Sequence, residues 1–213
     1  MNRANIGCGR TAIPGWYNFD NSPSVRLARH ALLVRLLEII GVLKPEQVQF
    51  IRDARTLDIR WADATRRIPL PDGSLEVIYS SHMLEHLDRE DVKRFLREVR
   101  RLLAVGGILR LSVPDLDKMV KQYIVQKDAD AFLDRMNIAP RRPRGFLGKV
   151  KFSLTGVRHH QWMYDADSLL RLVQRHGFIN ARIMAPGETG IVSPGELNLF
   201  ERADTSITVE AFK

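Results

Sequence analysis

The stretch from Leu75 to Val113 leaves the chain the least freedom in what it can fold into. "LEVIYSS" (75–81) has a nearly continuous apolar centre, the pattern of a strand buried on both faces. A helical pattern follows, in which Val92, Phe95, Leu96, Val99, Leu102 and Leu103 share one face. Asp88 is its natural N-cap, with Asp91 three residues on, and Gly106-Gly107 is the expected stop. "ILRLSV" then reads as a second strand, closed by Pro114. Strands alternating with helices in this way specify an α/β fold with a mostly parallel sheet.

The same alternation extends along the chain. Residues 3–7 form a short strand running into the Gly7-Cys8-Gly9 turn, and "YNFD" forms a second strand ending at Asp20. Asn21, Ser22 and Pro23 break the pattern, and Ser24 is a candidate cap for a helix over 24–41. Leu32, Leu33, Leu36, Leu37 and Ile40 recur along that helix at helical spacing, with Arg26, Arg29 and Arg35 around it. The stripe suits docking on a sheet as core or lid better than lying on a membrane surface. "LDIRWAD" reads as a strand ending near Asp63, "IPLPDGS" as a loop, and residues 115–135 as helical. "DADSLLRLVQRHGF" is a capped helix ending at Gly177, and "INARIMA" and "SITVEAF" are strands near the C-terminus.

A length of 213 residues suits one well-buried core. The expected organisation is a single domain over 1–213, with a helical insertion near 24–50 and a basic, lid-like segment near 136–160. In that segment Arg141, Arg142, Arg144, Lys149, Lys151 and Arg158 lie in a stretch without an acid. The net charge of +8 favours an acidic partner: a phosphorylated substrate, nucleic acid or an anionic membrane surface. No apolar run approaches the ~20 residues of a membrane span. One cysteine and the lack of a secretory signal suit a cytoplasmic protein.

In parallel sheets ligands sit beyond the carboxyl ends of the strands, where Gly7–Gly9, Asp20, Asp63 and Ser80–His86 all fall. Glycine lets the backbone approach a ligand closely, with its N–H groups expected to stay exposed. An acid after the second strand can accept from both ribose hydroxyls, and Asp63 can accept from an adenine amino group. A dehydrogenase fingerprint does not fit, because Arg10, Thr11 and Ala12 follow Gly9 and Asp20 comes too early.

Together "NIGCG", "GWYNFD", "WADATRRIPLPDGSLEVIYSSHMLEHL", "REVRRLLAVGGILRLSVPD", "QWMYDADSLLRLVQRHGF" and "SITVEA" form one ordered series. The series resembles the class I S-adenosylmethionine-dependent methyltransferases, most nearly the bacterial type 11 branch. The resemblance implies a Rossmann-like sheet, mostly parallel with an antiparallel strand near the C-terminus and helices on both faces. It implies S-adenosylmethionine as cofactor. Gly7 and Gly9 would approach its methionine portion, with Asn5 and Cys8 in the same motif. Asp20 would face the ribose, Asp63 and Ala64 the adenine, and Ser80 and Ser81 the sulfonium end. Cys8 is expected to be a packed small residue, not a nucleophile. In one departure, the segment from Gly9 to Asp20 lacks most of the usual first helix, which implies a more open pocket.

A hydroxyl acceptor needs its proton removed, which is work for a histidine or carboxylate. "SSHMLEHL" offers His82, Glu85 and His86 beside the expected methyl, with His82 the first choice of base and His86 the second. The alternative is structural, since Glu85-His86 recurs across this superfamily with different acceptors. His159-His160 is expected to be a surface pair, the alternative being that it reaches over the pocket. "HMLEH" also spells an inverted zincin motif, but it sits at a strand-to-helix junction and Asp88 caps the helix after it. No resident metal is expected, a divalent ion on His82, Glu85 and His86 being the lesser alternative. The Asn/Asp-Pro-Pro-Tyr/Phe of DNA amino-methylases is missing after the fourth strand, which turns the expectation from exocyclic nitrogen toward oxygen. The acceptor expected is a small-molecule or saccharide hydroxyl, anionic or sugar-linked. Competing readings are a catalytically silent cofactor-fold partner protein and a basic RNA-binding methyltransferase.

Overall fold

The computed structural model describes residues 2–138 and 159–213. Seven strands form one sheet in the order β3-β2-β1-β4-β5-β7-β6. They are β1 (Arg3–Ile6), β2 (Tyr17–Asp20), β3 (Ile59–Trp61), β4 (Leu75–Ser81), β5 (Leu103–Pro114), β6 (Ile179–Met184) and β7 (Ser206–Phe212). β1 through β5 pair parallel, and β7 runs antiparallel to both β5 and β6. The expected class is therefore the observed one: a mostly parallel sheet whose antiparallel strand lies at the C-terminus. The chain passes from β1 outward to β3, then returns to place β4 on the other side of β1. Such a reversal opens a crevice at the carboxyl ends of the strands on either side of it.

The helix after β4, α4 (Arg89–Leu102), forms as its sequence pattern requires. The Asp88 side chain accepts from the Asp91 N–H at 2.8 Å, and Phe95, Leu96, Val99 and Leu102 are fully buried against the sheet. Burying one such side chain contributes roughly 1.5–3 kcal/mol. The helix ends at Leu102, before Gly106-Gly107, because Leu103 already pairs with Leu75. The glycine pair instead forms an irregular corner inside β5. At the other end of the sheet, α7 (Ala166–Arg175) starts in a reciprocal capping box between Asp165 and Ser168.

The region between β2 and β3 departs from expectation. In place of one helix over 24–41 there are two, α1 (Pro23–Leu27) and α2 (Ala31–Ile39), and a further helix, α3 (Pro45–Thr56), follows before β3. Ser22, not Ser24, sits at the first N-cap, with Pro23 behind it to set the helical φ. The α2 stripe does not dock on the sheet. Leu32 and Ile39 are 86% and 73% exposed, Leu33, Leu36 and Ile40 are also exposed, and Val34 is the buried residue of the helix. α3, which carries Val48, Ile51 and Ala54 inward, takes the place expected for that stripe.

Residues 115–135 likewise divide into α5 (Leu116–Gln126) and α6 (Ala129–Met136), separated by a left-handed Lys127 and capped afresh by Asp128. Most of the basic segment near 136–160 lies outside the described residues. Among the described residues, no helix is long and apolar enough to cross a membrane.

Candidate active site

The turn after β1 is built around its glycines. Gly7 has φ +70°, and a Cβ there would lie 2.4 Å from the Met83 Cγ, so any other residue would collide with the chain after β4. Gly9 has φ +50° and faces open space. The amides of this turn are not free, which corrects the sequence expectation. Gly7 and Cys8 N–H both donate to the Phe19 carbonyl, at 2.8 and 3.1 Å, and Gly9 N–H donates to Asp20 Oδ2 at 3.1 Å. The glycines give close approach, while the amides lock β1 to β2 where no helix intervenes. Asp20 Oδ1 also accepts from the Ser22 N–H, at 2.7 Å, so one carboxylate organises both loops.

A cleft of about 280 Å³ opens at the carboxyl rim. Gly7, Gly9, Asp20, Asp63, Ala64, His82 and His86 all line it, joined by Asn21–Pro23, Thr65 and Met83. Five of the nine expected cofactor positions are thus gathered in one place. Asp63 follows β3 by two residues and accepts at Oδ1 from the Thr65 N–H and hydroxyl, at 3.0 and 2.7 Å. The other four do not line the cleft. Asn5 is buried and donates its side-chain amide to the Thr11 carbonyl, bracing the glycine turn from beneath. Cys8 packs with Val25, Ala54 and Ile59, and burial first, then the Asp20 charge, pushes its thiol far above the ordinary range. Ser80 and Ser81 are buried within β4.

The end of β4 carries the second group. His82 adopts φ +50°, a left-handed backbone uncommon outside glycine. Its Nδ1 lies 3.2 Å from Glu85 Oε1 and its Nε2 2.9 Å from the Ser206 hydroxyl on β7. A carboxylate can only accept, so this network puts the imidazole proton on Nδ1 and the lone pair on Nε2. Glu85 is completely buried in a single 3-10 turn, Leu84–His86. His160 closes over this turn, its Nε2 4.0 Å from Glu85 Oε1 and its ring edge-on to His86 at 4.9 Å. Burial is the main influence holding His160 below the ordinary histidine pKa, against the raising effect of Glu85.

His160 is therefore not part of a surface pair. Gln161 and Trp162 N–H both donate to the Glu85 carbonyl, at 2.7 and 3.3 Å, and draw it in. The sequence named His160 but not its partner Glu85, and Ser206 not at all, because only the fold brings His160 to Glu85 and Ser206 to His82; Thr65, two residues after Asp63, was within its reach. His82 also lines a second cavity of about 220 Å³, with Lys118, Arg135, His160, Arg202 and Asp204.

Two acidic side chains facing one cleft suit a ligand rich in hydroxyl and amino donors. An open wall at Gly9 leaves room for its backbone-hugging end. The adenosyl and methionine portions of S-adenosylmethionine meet both conditions. Residues 24–111 match the family described as "Methyltransferase domain".

In sequence over part of its length, and in fold over all of it, the chain is similar to S-adenosylmethionine-dependent methyltransferases.

Two curated relatives from strains of Mycobacterium tuberculosis, each named a probable S-adenosylmethionine-dependent methyltransferase, are 29% identical over 127 residues. That match covers 55% of this chain, and the chain spans 40% of the relatives' length. Among solved structures, a methyltransferase of Methanosarcina mazei aligns over 100% of this chain and 92% of its own, with a TM-score of 0.53 at 16% identity. One from Mesorhizobium loti aligns over 100% and 90%, with a TM-score of 0.50 at 18% identity. At these identities the structural neighbours show the methyltransferase fold.

Proposed function

We propose that this methyltransferase domain methylates a hydroxyl of an anionic small molecule, such as a phosphorylated or nucleotide-linked sugar. One observation carries the reading: His82 is a wall shared by two cavities, one lined by Asp20 and Asp63 and the other by Lys118, Arg135 and Arg202. The acidic cleft suits the adenosyl cofactor, and the cationic cavity suits a negatively charged acceptor. In the first, Asp20 would hold the ribose hydroxyls and Asp63 the adenine edge, with Gly7 and Gly9 beside the methionine portion. The same reading takes residues 1–213 as one domain working in the cytoplasm.

S-adenosylmethionine, when bound, supplies a methyl group already activated on its sulfonium. What the chain must supply is alignment and a place for the acceptor's proton. Glu85 fixes the His82 tautomer by accepting from Nδ1–H, which leaves Nε2 basic toward the cavity wall. Ser206 now donates to that nitrogen. An acceptor hydroxyl taking its place would pass its proton to Nε2, and Glu85 would stabilise the resulting imidazolium, as a carboxylate does in a hydrolase triad. His86, on the same rim, is placed to position the acceptor.

The test is transfer of label from methyl-labelled S-adenosylmethionine to anionic hydroxyl acceptors. A labelled methyl ether is expected. His82→Ala should lower kcat by about 10²–10⁴ while binding of S-adenosylhomocysteine persists. Label on nitrogen, or an unchanged rate in His82→Ala, would contradict the proposal.

A further inference from the structure

Glu85, His86 and His160 each present a ligand atom, and the three atoms lie within 4.8 Å of one another. Glu85 is fully buried, and its Oε2 has no hydrogen-bond partner among the described residues. Leaving a carboxylate oxygen unmatched away from water is costly, so such a group is normally paired or coordinated. Its neighbours are imidazoles, and among the described residues neither lysine nor arginine forms an ion pair with it. His86 directs Nδ1 at the His159 carbonyl, 3.3 Å away. That contact commits one nitrogen to a backbone acceptor and leaves Nε2 with its lone pair, as metal-ligating histidines are usually held.

We propose that Glu85, His86 and His160 form a binding site for a divalent transition-metal ion. Two imidazole nitrogens with one carboxylate oxygen suit zinc, manganese, iron(II) or cobalt, whereas calcium and magnesium prefer all-oxygen sites. Ligands about 2.1 Å from a tetrahedral ion lie about 3.4 Å apart, so side-chain rotations of an ångström or so would close the set. The backbone is already braced for it. Gln161 and Trp162 bond to the Glu85 carbonyl, and His160 N–H donates to the Asn137 carbonyl at 3.1 Å. His82 stays outside the ligand set as the hydrogen-bond partner of Glu85 Oε1, orienting the carboxylate.

His86 lines the acidic cleft and His160 the cationic cavity, so the ion would sit between them. There it would bind the acceptor oxygen and lower its pKa. This role, unlike the site itself, rests on the function proposed above.

The experiment uses the full chain stripped with a chelator, with Zn²⁺ alone in calorimetry and Co²⁺ alone in visible spectroscopy as probes. One ion per chain and Co²⁺ ligand-field bands are expected. His160→Ala and Glu85→Gln should each weaken Zn²⁺ binding tenfold or more. His176→Ala, at the end of α7 and outside the cluster, should leave it unchanged. S-adenosylhomocysteine affinity, measured on the same samples, reports separately on the cofactor cleft. Wild type that binds S-adenosylhomocysteine but takes up no stoichiometric Zn²⁺ overturns the metal site and leaves the methyltransferase reading standing. Zn²⁺ affinity that survives both substitutions overturns it as well. Zn²⁺ binding that is lost in both variants while methyl transfer by wild type goes undetected supports the site and counts against the proposed acceptor alone.

Discussion

Glu85 and Glu210 are both completely buried, yet their surroundings are opposite. Glu210 lies across the β5–β7 register from Arg110 and receives its guanidinium at 2.6 Å. Thr189 and the Gly190 N–H fill the remaining positions, at 2.6 and 2.7 Å, and Arg110 also donates to the Glu188 carbonyl. Every partner is fixed, and the effect is to pin the loop after β6 to the sheet. Glu85 has an imidazole on one oxygen and no hydrogen-bond partner on the other among the described residues. A satisfied buried charge in the sheet is a structural clamp. An under-partnered one at the carboxyl rim, where ligands bind, is what the proposed metal site would explain, its cost offset by the rest of the fold.

Four outcomes would break or sharpen that contrast. The largest is expected from Glu210→Ala, which strands Arg110 in the sheet. Chemical denaturation should show a loss of about 3–5 kcal/mol, and a loss below 1 kcal/mol would mean that the clamp is slack. Next, Glu85→Gln should lower methyl transfer by about 10²-fold or more and leave stability within about 1 kcal/mol, because the charge removed is poorly paired. Equal stability losses in the two glutamate variants would erase the distinction between them.

Third, replacing Arg110 and Glu210 together by Met and Leu should cost far less than Glu210→Ala, within about 1–2 kcal/mol of wild type. Comparison of denaturation midpoints would check it. The smallest effect concerns Cys8. Its folded pKa lies above the ordinary 9.0 through burial, so the folded state holds the thiol protonated where the unfolded chain would ionise. Its contribution to stability is therefore full below pH 9 and declines as pH rises through and beyond it. Alkylation of the native protein at pH 8 should be slow and should accelerate in denaturant.

The sequence made the rim legible and the crossing contacts illegible. Gly7, Gly9, Asp20 and Asp63 could be found because each is tied to a local event, a strand ending in a turn that needs a special backbone or in a half-buried acid. The α4 face could be found because its period belongs to one element. The long-range contacts of this cluster could not, since His160, beside Glu85, and Ser206, beside His82, lie 75 and 121 residues beyond Glu85 in the chain. Nor could the fate of the α2 stripe. Apolar periodicity states that a face exists, not what covers it, and α3 took the inner position instead. The turn amides misled for a related reason: without a helix after β1, the backbone satisfied its donors on Phe19 and Asp20.

The most direct measurement is calorimetric titration of S-adenosylhomocysteine into wild type, Asp20→Ala and Asp63→Ala. Wild type should bind one molecule per chain, and each variant should bind about tenfold more weakly or worse, ~1.4 kcal/mol per lost carboxylate. Equal affinity in all three proteins would show that the cofactor sits elsewhere and that the cleft joining Gly7, Asp20 and Asp63 is not its site.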